Sequence, residues 1–73
     1  MQVNIGQRIV TERKKRNVSQ TALGEAIGKS QQTIYTYEKG IYSPKFSDLC
    51  EIADFLKIPL EILIFGGEND GET

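Results

Sequence analysis

Apolar residues along the chain recur at helical spacing and are separated by short polar breaks. Leu23, Ala26 and Ile27 stand three and four residues apart, which places them on one face of a helix. Ile34 and Tyr37 mark the inward face of a following helix, and Leu49 and Ile52 fall in a further one with Cys50 packed between them. The segment Leu60–Phe65 is apolar around Glu61, with Leu60 and Leu63 best matching a core-facing pattern. The pattern predicts four or five helices and no strand. They cover Val3 to Arg16, Gln20–Ile27, Gln31–Lys39, Phe46–Leu56 and, in a short last turn, Leu60–Phe65. The fold class is all-α, a compact bundle of four to five helices.

The breaks carry their own signals. Ser19 and Ser30 are N-cap residues, whose hydroxyls accept from free N–H groups of the first helical turn. Gly28 stands where a helix ends in a left-handed residue. Gln20 to Lys39 therefore reads as two short helices joined by a tight turn. Asn17, Gly40–Pro44 and Lys57–Pro59 are the other connections, and no internal repeat is present. Residues 1–65 form the expected domain. Residues 66–73, GGENDGET, are glycine-rich, acidic and without apolar side chains, and are expected to be a flexible tail.

Seventy-three residues make one small domain. Hydrophobic content of 38% and charged content of 26% suit a soluble protein. No apolar run is long enough to span a bilayer and no signal-peptide pattern is present, so no membrane partner is expected. One cysteine forms no internal disulfide, and the expected compartment is the cytoplasm of a bacterium or a phage host. The net charge of −1 is unevenly spread. Residues 1–40 carry seven cations against three carboxylates, or +4, and residues 41–73 carry two against seven, or −5. Such polarity lets one face meet phosphate while the rest stays away from it.

The outward side of the third helix gives the charge asymmetry a purpose. Gln31, Gln32, Thr33, Tyr35 and Thr36 are polar and turned away from Ile34 and Tyr37. A short helix offering amides and hydroxyls can read base edges in a DNA major groove. Gln31 and Gln32 occupy its first turn, and a glutamine amide matches the N6 and N7 groups of adenine. Thr33 and Thr36 can touch a thymine methyl or a phosphate, and Tyr35 can donate to a phosphate. Gln20, at the start of the second helix, and Lys29, Lys39 and Lys45 on the same face are candidate phosphate contacts. Tyr37 is expected in the core with its hydroxyl at the rim.

These residues, in this order, resemble the lambdoid-repressor and Cro type of helix-turn-helix protein. The segment IGQRIVTERKKRNVSQ is similar to that family's first helix, and SPKFSDLCEIADFLKIPLEILI to its fourth and fifth. Gly28, Glu38–Gly40 and Pro44 stand in register, and the match spans roughly residues 5 to 64. The resemblance implies a lambda-repressor-like fold and base contacts by Gln31 and Gln32. It implies that Gln20 touches backbone phosphate and that Arg13 pairs with Glu38, tying the reading helix to the first helix. Lys14, Lys15 and Arg16 are then expected to be solvated near that helix's C-terminus. The chain departs from the pattern at Gly24, usually Ala, and at Glu12, more often apolar. The Gly40–Pro44 loop lacks the basic residues many relatives use, which leaves Tyr42 and Ser43 as its phosphate contacts.

Catalysis finds little support. There is no histidine, no Cys/His set for zinc, no glycine loop for a phosphate and no paired carboxylates for acid–base work. No cofactor or metal is expected. The reading is a sequence-specific DNA-binding regulator, a repressor, acting on double-stranded DNA at a palindromic operator as a homodimer. The alternative is a protein-interaction module on the same fold, such as an antitoxin or phage accessory factor. Ile62, Ile64 and Phe65 form the expected dimer interface, since the fifth helix can turn only part of its apolar run inward.

Overall fold

The structure, a computed structural model, describes residues 4–66. Its elements are α1 (Ile5–Lys15), α2 (Gln20–Ile27), α3 (Gln31–Lys39), α4 (Phe46–Leu56) and α5 (Leu60–Phe65), with no strand among the described residues. This is the lambda-repressor-like helix-turn-helix fold. The last four helices begin and end where the sequence places them. The first is shorter than expected. Asn4 caps it, with its side-chain oxygen accepting from the Gln7 N–H, so the helix starts at Ile5. It stops at Lys15, one residue early, and Arg16 closes it. The expected acidic tail falls outside the described residues, apart from Gly66.

The caps explain the sharp boundaries inside the helix pair. The Ser19 hydroxyl accepts from the Ala22 N–H at 2.9 Å and the Ser30 hydroxyl from the Thr33 N–H at 3.1 Å. Gly28 and Gly40 end their helices at φ of 73° and 76°, where a side chain would be strained.

The core lies where the five helices converge. Ile9 from α1, Leu23 from α2, Ile34 from α3, Ile52 and Leu56 from α4 and Leu63 from α5 are its fully enclosed large side chains. Each such residue contributes roughly 1.5–3 kcal/mol by leaving water. Leu60 packs on this core while half-buried, so α5 is held mainly by Leu63. Ala26 is exposed, against expectation. The buried arc of α2 is centred between Leu23 and Gly24, and Ala26 lies beyond its edge at about 100° of turn per residue.

Gly24 defines that arc through what it lies against. A Cβ there would stand 2.7 Å from the Lys29 carbonyl oxygen and 3.1 Å from that of Ser30. The glycine thus approaches the backbone of the turn, and the clash an alanine would make outweighs the roughly 1 kcal/mol of helix propensity it would gain. Gly6 does the same for α1. Its Cβ would meet the carbonyl oxygens of Glu38 and Tyr37 at 2.5 and 2.6 Å. Gly6→Ala is expected to lower stability by about 1–2 kcal/mol, because overpacking costs more than the propensity gained. Chemical denaturation measures it, and an unchanged midpoint would mean α1 can slide off α3 freely.

Arg8 locks the far end of the bundle. Its guanidinium donates to the Ile64 carbonyl at 2.7 Å and lies 3.4 Å from that of Leu63. A cation on the last carbonyls of a helix satisfies orphan acceptors and opposes the negative end of the helix dipole. The six-residue α5, too short to stand alone, is thereby fastened to α1.

Candidate nucleic-acid interface

The buried line of α3 runs through Ile34 and Tyr37. At 100° per residue this turns Gln32, Tyr35 and Lys39 to the opposite side, and all three are exposed, as is Gln31 at the helix start. Thr33 and Thr36 differ from expectation by being half-buried. Their hydroxyls are engaged within the helix: Thr36 donates to the Thr33 carbonyl at 2.6 Å, and Thr33 shares a hydrogen bond with Ser30 at 3.0 Å. The Thr36 hydroxyl hydrogen is thereby engaged within the helix, which leaves its oxygen as an acceptor.

Behind the first turn of α3 stands a chain of side-chain hydrogen bonds. Arg13 donates from Nε to Glu38 Oε2 at 2.7 Å and from Nη2 to Oε1 at 3.1 Å, a two-point contact. The two side chains retain 10% and 4% exposure. A third guanidinium nitrogen donates to the Val18 carbonyl, so Arg13 also holds the α1–α2 connection. Gln20 Nε2 then donates to Glu38 Oε1 at 2.7 Å, and Gln31 Nε2 donates to Gln20 Oε1 at 2.6 Å. Gln20, expected to face phosphate, is half-buried with both ends of its amide engaged, leaving one N–H of its Nε2 to donate to a phosphate. Gln7 and Lys14 of α1 line the groove beside this chain with Tyr35 and Lys39; Gln7 was not singled out in the sequence, and Lys14 was expected only to be solvated.

The cations are unequally available. Lys39 lies over the Tyr35 ring at 5.8 Å and stays exposed, which holds phenol and ammonium side by side. Lys45 is exposed at the start of α4. Lys29 stands 3.8 Å from Asp48, so a carboxylate already faces its charge. Asp48 itself is buried and accepts from the Tyr37 hydroxyl at 2.9 Å. Tyr37 therefore ends on a buried carboxylate instead of at the rim. Burial first, then the hydrogen bond to Asp48 and its charge, hold the phenol above its usual pKa. Tyr37, Asp48 and Lys29 tie α3, α4 and the turn together. The partner at Asp48 was not visible in the sequence, where that residue reads as an ordinary first-turn acid. Tyr42 and Ser43 are exposed in the loop after α3.

Lys14, Lys15 and Arg16 are exposed at the end of α1, as expected, and two of them reach a carboxylate there. Glu12 is buried to 5% exposure and accepts from Arg16 at 2.8 Å, with Lys15 at 3.5 Å. The acidic residue where an apolar one was expected is thus paired along its own helix. Among the described residues no group of histidine, cysteine, aspartate or glutamate side chains could hold a metal ion, and no helix is long and apolar enough to cross a membrane. Cys50 is a free thiol, half-buried in α4.

The profile of the helix-turn-helix family matches residues 9–63, three-quarters of the chain, including α2, α3 and α4 entire. The chain belongs to the helix-turn-helix family. A relative in Sinorhizobium fredii, an uncharacterised HTH-type transcriptional regulator, is 44% identical over 55 residues, which are 75% of this chain and 38% of that protein. The chain spans about two-fifths to half the length of the curated relatives it matches. Two solved helix-turn-helix structures are similar in fold. The P22 c2 repressor in complex with a synthetic operator superposes with a TM-score of 0.80 at 30% identity, over 90% of this chain and 98% of that one. SinR, a master regulator of biofilm formation, in complex with DNA superposes at 0.74 and 27% identity, over 81% and 95%. The helix-turn-helix family comprises DNA-binding transcriptional regulators and is not a family of enzymes.

Proposed function

We propose that this helix-turn-helix chain is a sequence-specific repressor that reads the major groove with α3 and binds a palindromic operator as a homodimer. The observation that carries the reading is the exposed first turn of α3, where Gln31 and Gln32 project beside Tyr35 and Lys39 from a helix capped and anchored at both ends. Gln31 and Gln32 are the base-reading amides, assisted by Thr33 and Thr36. Lys39, Lys45, Tyr35, Tyr42 and Ser43 meet phosphate and set the register, with Lys29 and the free N–H of Gln20 as weaker contributors. The P22 c2 repressor and SinR, both solved on DNA, support this use of the fold. One such domain reads few base pairs, so a second copy on a two-fold site supplies the remaining specificity. α5 is the proposed contact between copies. The cytoplasm is the proposed location.

Gln31→Ala tests the reading directly. It is expected to weaken specific binding by about 1–3 kcal/mol and to relax preference at one or two positions per half-site. Competition binding against operator variants measures both. A uniform loss across all sequences would show that Gln31 only positions the protein.

A further inference from the structure

We infer that Arg8 and Gly66 form a clasp that holds the last turn of α5 in the shape a second copy meets, which makes Arg8 a positioning residue for the dimer. The inference rests on α5 as the proposed contact between copies. A helix leaves its last four carbonyls without partners inside it. In α5 they belong to Ile62, Leu63, Ile64 and Phe65. The Gly66 N–H donates to the Ile62 carbonyl at 2.9 Å. Arg8 Nη1 donates to that of Ile64 at 2.7 Å and lies 3.4 Å from that of Leu63. Two residues thus serve three of the four acceptors, and one of the two lies 56 positions from Ile64 in the chain.

Gly66 closes the clasp from the other side. It stands at φ of 70°, and a Cβ on it would lie 2.7 Å from Arg8 Nε and 2.9 Å from Arg8 Cζ. The flat guanidinium therefore lies against the glycine as well as against the carbonyls. A residue without a side chain permits both the left-handed backbone and this approach.

The apolar surface offered to a second copy depends on this turn. Phe65 is 69% exposed, with Ile62 and Ile64 half-buried beside it. Leu63 is the buried residue of α5, and a helix of six residues does not persist in water by itself. Without Arg8 the Leu63 and Ile64 carbonyls lose their donor, and Phe65 loses its fixed direction. A contact about a two-fold axis uses the turn twice, once from each copy. If each copy has the turn ordered for a fraction of the time, the apparent dimer dissociation constant rises as the inverse square of that fraction. A roughly threefold loss of order therefore weakens the dimer about tenfold, while α3 and its exposed face are untouched.

The test uses the whole 73-residue chain. Dimer dissociation is measured by sedimentation over a concentration series. Binding is measured on a palindromic site selected from a randomised duplex library and on its isolated half-site. Arg8→Met, similar in length but without donors, is expected to weaken the dimer about tenfold or more and to lower palindrome affinity with it. Half-site affinity and the helical circular dichroism should be kept. Gly66→Ala, which pushes the guanidinium away from the other side, is expected to act in the same direction. Phe65→Asp removes the contact itself, so adding Arg8→Met to it should lower palindrome affinity no further. A merely structural Arg8 would lower half-site and palindrome affinity in parallel and would still act in the Phe65→Asp background. Either result overturns the inference, as does an unchanged dimer in Arg8→Met. If Arg8→Met fails to fold, Gly66→Ala decides by the same comparison. If Phe65→Asp breaks the dimer and neither clasp variant weakens it, the α5 contact stands and the clasp falls. If the wild type is monomeric at high concentration, both free and on DNA, both fall.

Discussion

Arg13→Met is expected to remove about 3–5 kcal/mol of folding stability, the range for stripping one partner from a buried ion pair. The geometry puts this pair near the upper part of the range. Glu38 keeps 4% of its side-chain exposure, and Arg13 supplies two of the three hydrogen bonds its carboxylate accepts. Removing the guanidinium also leaves the Val18 carbonyl without its donor. A domain of 73 residues holds roughly 4–11 kcal/mol in total at typical values per residue, so this one change takes a large share. Thermal and denaturant melts measure the loss. Glu38→Gln is also expected to be costly, because it leaves the buried Arg13 guanidinium without its countercharge, offset only in part by the amide oxygen that can still accept from it. The double variant Arg13→Met with Glu38→Leu should recover much of the loss, since replacing a buried pair by apolar groups is often near neutral. Unchanged melting in Arg13→Met would mean that solvent reaches the pair and satisfies Glu38.

The contrast between what the sequence revealed and what it hid follows the range of each interaction. Ser19, Ser30 and Gly28 act within three or four residues of themselves, and local caps of this kind placed the helix pair to the residue. The Arg13–Glu38 contact spans 25 positions and was legible through the family resemblance, since nothing local in TERKKR singles Arg13 out from its neighbours. Interactions without such a template stayed hidden. Arg8 on the last carbonyls of α5 spans 56 positions, and the Tyr37–Asp48 bond crosses two helices. Gly6 reads as a poor helix former until the carbonyls of α3 are seen lying over it.

The candidate site divides in the same way. Periodicity alone turned Gln31, Gln32 and Tyr35 outward, and they are exposed. It could not tell that Thr33 and Thr36 bond back into their own helix. Nor could it tell that Gln20 faces Glu38, because an exposed and an engaged glutamine look alike in sequence. Charge counting has a similar limit. Lys29 adds to the basic half of the chain, yet Asp48 from the acidic half stands 3.8 Å from it.

Phe65→Asp is expected to convert a dimer to a monomer and to lower affinity for a palindromic site by about a hundredfold or more. Phe65 keeps 69% of its surface exposed at the end of α5, the most exposed large apolar side chain of the described residues. Ile62 and Ile64 beside it are half-buried, so an aspartate at either would also disturb the domain's own packing. Phe65 is thus the cleaner site for the test, because its loss removes contact area between copies without touching Leu63 or the Arg8 cap. The large expected effect comes from linkage. Two reading helices about 34 Å apart on one DNA face bind together, and the second engagement is nearly intramolecular once the first is made. A monomer loses that gain while keeping every contact within its own half-site. Binding to an isolated half-site should therefore change little, and helical circular dichroism should be kept. Sedimentation of the free protein and of its complex with DNA measures the assembly. A wild type that is monomeric at high concentration, both free and on DNA, would remove α5 as the contact between copies.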